Sequence, residues 1–316
     1  MMLFAFSASS TAAENDTFGT CMQQQLLTAE DGTRVGELRA ICHQQHPTES
    51  QVRRRKRLEH TSGKEPFVIT PHKPNYVLPI SYNSKLNPEP FASEIKALNN
   101  TEVVFQLSFK LKIADDFLGS GGDLYGAYSN QSWWQAYNSN QSAPFRETNH
   151  EPEIFLTFEQ DWELLGFDIP QWSVGLNHES NGQNGDLSRS WNRVFAEVKA
   201  ERDNFYVAFK PWWRIPEGKK DDINDVTGDD NPALEHFMGH GELHLMYQFE
   251  EDHLGVILRN NLQSDNKGAV QVEWSFPMGT RTKGYVQYFY GYGESLIDHD
   301  HLTSRLGFGI LLTDWL

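Results

Sequence analysis

Three residues in the run Leu176–Arg193, LNHESNGQNGDLSRSWNR, have the types and spacing of an activated serine: His178, Ser180 and Asn192. Side chains alternate across a β-strand, so His178 and Ser180, two apart, share a face. The stretch Gly182-Gln183-Asn184-Gly185-Asp186 is rich in residues that tolerate turn dihedrals, and pairing 182 with 188 leaves a five-residue hairpin loop. That register sets His178 opposite Asn192, and directly opposed Cβ atoms lie about 4.5–5.5 Å apart, within reach of an imidazole–amide hydrogen bond. Ser180 is then one same-face step away. A hydroxyl, a base and a group that orients the base are the parts of nucleophilic acyl-transfer chemistry. A His-x-Ser pair alone is common, and the bland alternative is a hydrogen-bonded polar cluster at the rim of a sheet.

The elements that must position these residues follow from the same parity. Trp172, Val174, Leu176, His178 and Ser180 form one face of the first strand, with Gln171, Ser173, Gly175, Asn177 and Glu179 on the other. Across the turn, Asn192, Val194, Ala196 and Val198 share a face, while Arg189, Trp191, Arg193, Glu197 and Lys199 take the other. The candidate residues therefore continue the apolar face. In a membrane barrel the exterior is apolar and the interior polar, so this arrangement points the three side chains at lipid. Polar groups facing hydrocarbon cost a few kcal/mol near the midplane and less toward the interface. Next to a hairpin loop they fall at the headgroup boundary, where the ester bonds of phospholipids lie.

Composition permits such a barrel. The chain is 38% hydrophobic, with a formal charge of −16, and no run of 18 apolar residues marks a membrane helix. A barrel needs only alternate residues facing lipid and is polar overall. From about Pro66 onward, period-2 segments recur between turn residues. Phe105, Leu107, Phe109, Leu111 and Ile113 share a face, as do Val270, Val272, Trp274 and Phe276, and Leu306, Phe308, Ile310 and Leu312. About twelve segments begin near residues 73, 103, 124, 152, 170, 189, 203, 236, 253, 268, 281 and 303, the spacing of a meander. The expected fold is all-β, a twelve-stranded antiparallel transmembrane β-barrel over residues 66–316, preceded by a short N-terminal periplasmic extension and linker over 14–65. Residues 1–13, apolar and ending in small residues, read as a signal segment that lacks a basic start. Cys21 and Cys42 are the only cysteines and sit in the extension, where an oxidising periplasm allows a disulfide. Phe18-Gly19-Thr20 before Cys21 gives no lipid-anchor signal.

Two further features invite competing readings. The basic run from Arg53 to Arg57 is short and lacks interleaved aromatics, so it reads as a solvated linker and no nucleic-acid partner is expected. The loop from Pro216 to Pro232 carries Asp221, Asp222, Asp225, Asp229 and Asp230, but without the ligand spacing of a dedicated calcium loop. It is also the only support for an outer-membrane protease with carboxylates above the rim. A passive porin-like barrel without activity is the alternative from another class.

Asn177-His178-x-Ser180-Asn181-Gly182 followed by Ser188-Arg189-Ser190-Trp191-Asn192-Arg193 closely resembles the signature of the outer-membrane phospholipase A family of Gram-negative bacteria. So do Gln131-Ser132-Trp133-Trp134-Gln135, the stretch from Ser142 to Asn149, Lys210-Pro211-Trp212, and Gly291 to Asp298, in one order from about residue 73 to the end. The resemblance implies an outer-membrane phospholipase A1/A2 and lysophospholipase, dependent on calcium and active as a homodimer on membrane phospholipids. It implies Ser180 as nucleophile, His178 as general base and Asn192 as the residue orienting the histidine. For the metal it implies the Ser188 side chain, the backbone oxygen of Gln183 and the backbone oxygen of Ser142 from a partner subunit. The family's basic and acidic loop residues fall at Gln183 and Gly185 here, with Asp186 beside them as a further candidate ligand. Asn130 stands where the family has a glutamine in its lipid-embedded dimer contact.

Overall fold

A computed structural model of the chain describes residues 17–29, 33, 38, 41, 42, 55, 68–91, 97–220, 222, 225, 228, 229, 231–279 and 282–314. The chain divides into two compact units, residues 1–54 and 55–316. In the first, a helix spans Thr17–Thr28 and Cys21 is disulfide-bonded to Cys42. Closing that loop contributes about 3 kcal/mol in the chain-entropy account. The signal segment 1–13, most of 30–67 including Arg53, Arg54, Lys56 and Arg57, and Asp221, Asp230, Trp315 and Leu316 lie outside the described residues.

The second unit is built almost entirely of antiparallel strands: β1 (Ile69–Pro71), β2 (Asn75–Asn83), β3 (Thr101–Ala114), β4 (Gly122–Trp134), β5 (Phe145–Leu164), β6 (Phe167–Ser180), β7 (Ser190–Arg202), β8 (Phe205–Arg214), β9 (Gly241–Phe249), β10 (Asp252–Asn260), β11 (Gly268–Pro277), β12 (Lys283–Gly291) and β13 (Thr303–Thr313). Each strand from β2 to β13 pairs with its neighbours in sequence, and β13 pairs with β2, which closes the barrel. β1 and β2 both pair with β3, at Leu111–Phe109 and at Gln106–Thr101, so they are one stave interrupted at His72–Pro74. Pro74 has no N–H for the ladder. Asn75 patches the gap, its side chain donating to Ser108 O at 3.0 Å and accepting from Ser108 N at 2.7 Å. The thirteen strands are thus twelve staves, as the alternation predicts.

The alternation also sets the faces. Leu107, Phe109, Leu111, Leu176, Val198, Phe209, Leu254, Trp274 and Phe308 are exposed on the exterior. Inside, buried ion pairs fill the lumen: Arg146 binds Glu102 at 2.8 Å and Asp298 at 2.6 Å, and Lys210 binds Glu153 at 2.8 Å.

The two ends differ. At one, two-residue turns join β5 to β6, β7 to β8 and β9 to β10. Leu165 and Gly166 both take positive φ there, 56° and 78°, as a type I′ hairpin turn requires. At the other, the connections are long: 84–100, 135–144, 181–189, 215–240, 261–267 and 292–302. Outer-membrane barrels place short turns toward the periplasm and long loops outside.

Two expected strand starts are corrected. β5 begins at Phe145 rather than near 152, because the polar run Arg146 to Glu151 extends the strand above the apolar band. β9 begins at Gly241 rather than near 236, because Leu234–Met238 forms a short helix.

Candidate active site at the outer rim

β6 and β7 pair with His178 opposite Asn192 and Ser180 opposite Ser190, the register expected from the turn residues. The loop between them is held largely by Asn181. Asn181, buried, accepts from the backbone N of Gln183 (3.3 Å) and Arg189 (3.0 Å) and donates to Leu187 O (2.8 Å). Gly182 and Gly185 supply φ of 65° and 59°, which a residue with a Cβ adopts at a cost. Asn181 also reaches Glu147 Oε2 at 3.4 Å, and Glu147 Oε1 accepts from Ile297 N at 3.3 Å. The connection 292–302 folds into the barrel mouth, with Ser295, Leu296, Ile297 and Asp298 buried, and so props the hairpin from inside. In that connection burial pushes the pKa of His299 down, and it pushes the Glu294 carboxyl up although Arg305 opposes it.

The inner face of the hairpin is tightly bound. Arg193 donates to Asn177 Oδ1 (2.9 Å) and Glu179 Oε2 (2.8 Å) and lies over the Trp191 ring at 3.9 Å, while Trp191 Nε1 donates to Glu179 (2.9 Å). These contacts fix the strands whose opposite face carries the candidate residues. On that outer face, His178 Nδ1 lies 2.8 Å from Asn192 Oδ1. An amide oxygen only accepts, so Nδ1 carries the proton and Nε2 is free to take one. Ser180 lies one step up the same face. Among the described residues no hydrogen bond joins Ser180 to His178; in the absence of substrate such catalytic contacts are often long.

Neighbouring strands add polar groups that the linear pattern does not disclose. His150 of β5 is directly opposite Ser180, and its Nδ1 shares a 2.7 Å hydrogen bond with Tyr128 Oη. Asn130 lies on the same outer face, 3.3 Å from that nitrogen, and accepts from Ser132 Oγ at 3.2 Å. Beyond Asn192, Glu217 Oε1 accepts from Asn192 Nδ2 at 2.8 Å. Cross-strand and cross-loop neighbours of this kind carry no signal in the alternation of a single strand.

The candidate metal residues occupy two rim turns. Gln183, Asp186 and Ser188 sit in the β6–β7 loop around a 3-10 turn, Gly185–Leu187, with Ser188 N bonded to Gly185 O at 3.1 Å. Asp186 is exposed, and its carbonyl accepts from Arg189 Nη1 at 2.8 Å. Ser142, with φ of 57°, lies in the separate β4–β5 turn. No hydrogen bond among the described residues joins Ser142 to the β6–β7 loop, and no group of three or more His, Cys, Asp or Glu forms a metal cluster there. The donors available are neutral hard oxygens, the Ser188 hydroxyl and the carbonyls of Gln183 and Ser142, a set that suits calcium.

A family model described as phospholipase A1 matches residues 52–312. The chain belongs to the phospholipase A1 family. A phospholipase A1 of Klebsiella pneumoniae is 38% identical over 251 residues, covering 79% of this chain and 84% of the relative, and one of Escherichia coli K12 is 36% identical over the same length, covering 79% and 83%. Among solved structures, an active-site mutant of Escherichia coli outer membrane phospholipase A aligns with a TM-score of 0.73 at 34% identity, covering 80% of this chain and 94% of that one. A Salmonella typhi outer membrane phospholipase, a dimer with bound calcium, aligns at 0.73 and 35% identity, covering 79% and 94%. The phospholipase A1 barrel described here is accordingly an integral outer-membrane protein, with its candidate site at the external rim.

Proposed function

We propose that this chain hydrolyses the sn-1 and sn-2 acyl esters of phospholipids and lysophospholipids that reach the outer leaflet, with Ser180 as nucleophile, His178 as general base and Asn192 orienting the base. The observation that carries this reading is the 2.8 Å His178–Asn192 hydrogen bond on the lipid-facing wall, one same-face step from Ser180. Ser180 Oγ attacks the ester carbonyl as its proton passes to His178 Nε2. The proton then goes to the departing alcohol, leaving an acyl-serine. Water, deprotonated by His178, releases the fatty acid and restores Ser180.

Ser188 Oγ and the carbonyl of Gln183 would hold calcium, with the carbonyl of Ser142 of the partner subunit completing the shell and Asp186 adding charge nearby. When bound, the ion supplies electrophilic help to the oxyanion. With that carbonyl supplied by the partner subunit, activity should require a homodimer, with Asn130 at the contact. Residues 66–316 form the phospholipase domain and 14–65 a periplasmic extension.

The passive-barrel reading is disfavoured by the lumen. One cavity in it, lined by Lys73, Glu151, Glu179, Arg193, Lys210 and Glu242, is about 160 Å³, and ion pairs such as Arg193–Glu179 and Lys210–Glu153 occupy the space around it. The test is fatty-acid release from mixed phospholipid–detergent micelles by wild type and Ser180→Ala, each with calcium and with chelator. Release lost in the variant and in the chelated wild type supports the proposal; equal release from Ser180→Ala overturns it.

A further inference from the structure

Glu217 belongs to none of the motifs that single out the site, yet it touches it. Its Oε1 accepts from Asn192 Nδ2 at 2.8 Å, while Asn192 Oδ1 faces His178 Nδ1 at 2.8 Å. We infer that Glu217 is a positioning residue for hydrolysis at Ser180, a carboxylate that fixes the direction of the Asn192 amide and supplies the negative charge that an amide lacks. This rests on the functional reading proposed for Ser180, His178 and Asn192.

The argument starts from the asymmetry of the amide. Asparagine has a donor end and an acceptor end of nearly the same shape, and rotation exchanges them. Turned around, Asn192 would present its NH₂ to His178 Nδ1 and favour the tautomer protonated on Nε2, which cannot accept the serine proton. An ionised carboxylate only accepts. Glu217 therefore draws the NH₂ end toward itself, turns Oδ1 to His178 and keeps the Nε2 lone pair available. When the imidazole takes the serine proton, the carboxylate one amide away stabilises the resulting cation. The proton goes on to the leaving alcohol.

Its segment is fastened for this. Ile215 N donates to Asn192 O at 2.8 Å, which carries the ladder one step beyond β8 and brings Glu217 to the outer side of β7. Asp229 N then donates to Gly218 O at 2.7 Å, the Lys219 and Asp229 backbones form an isolated parallel β-bridge, and Arg214 holds both Asp229 and Asn231 O. The carboxylate is half-buried, where its field is less screened than in open water.

The experiment is steady-state hydrolysis of mixed micelles by wild type, Ser180→Ala, Glu217→Ala, Asn192→Asp and the double variant Asn192→Asp/Glu217→Gln, with folding followed by circular dichroism. Glu217→Ala should lower kcat about tenfold or more, with KM unchanged, as expected for loss of a hydrogen bond to a charged group. Asn192→Asp should also be impaired, because it sets one carboxylate against another. Glu217→Gln in that background should raise kcat, since the charge then sits on residue 192 with an amide behind it. A role in holding the loop alone would make the double variant no better than Asn192→Asp. Wild-type kcat in Glu217→Ala, or no recovery in the double variant, overturns the inference. If wild type shows no release that depends on Ser180, the functional reading itself falls and takes this inference with it.

Discussion

On the inner face of the β6–β7 hairpin, Arg193 reaches Asn177, Glu179 and Glu151 and lies over Trp191; on the outer face of the same strands, His178 has Asn192, and Asn192 has Glu217. Inside, polar groups satisfy one another and form what fills the barrel. Outside, every polar side chain next to lipid carries a desolvation cost with few partners to offset it. The difference separates residues that hold the fold from residues kept in spite of it. A histidine beside Leu176 and Val194 on an apolar wall is hard to explain by stability.

Substitutions on the two faces should therefore fail in different ways. His178→Ala should cut fatty-acid release by about a thousandfold or more, as loss of a catalytic base does, while the thermal unfolding of the barrel stays as in wild type. Arg193→Ala should do the reverse, lowering stability by about 3 kcal/mol by leaving Glu179 without its cation while Glu151 keeps Lys73, with turnover per folded molecule largely retained. Urea titration in vesicles measures that loss. Leu176→Arg, on the outer wall below the rim, should cost about 1–2 kcal/mol in the same titration, between the midplane and interface values for a lipid-facing cation. His150→Ala is the finest test. His150 flanks Ser180 as His178 does, but its Nδ1 meets the Tyr128 hydroxyl and the NH₂ end of Asn130 in place of an amide oxygen, so its loss should lower kcat by less than about tenfold. A thousandfold loss there would assign the base to the wrong histidine.

The parts of this division that follow alternation were readable in the chain. Period-2 patterning gave twelve staves, and Gly182 to Asp186 set the register that puts His178 opposite Asn192. Where alternation stops, reading stopped too. The start of β5, Arg146 to Glu151, is polar on both faces because it rises above the apolar band, so its strand character is invisible by pattern. Pro74 splits the first stave, and only the shared partner β3 reveals that the halves are one. Glu217 and His150 reach the site across a loop and across a strand pair. Residues 216–232 read as solvated carboxylates, although Asp229 there pairs with Arg214 and so steadies the segment that bears Glu217.

The outward aim of His178 also determines what concentration means for this protein. A nucleophile on the outer wall of a barrel meets molecules that diffuse in the plane of the membrane, so its encounter rate follows their surface density, not their amount per volume of buffer. At fixed total lipid, adding inert detergent should slow turnover in proportion to the fall in mole fraction. A substrate too soluble to partition should escape hydrolysis even when it is abundant.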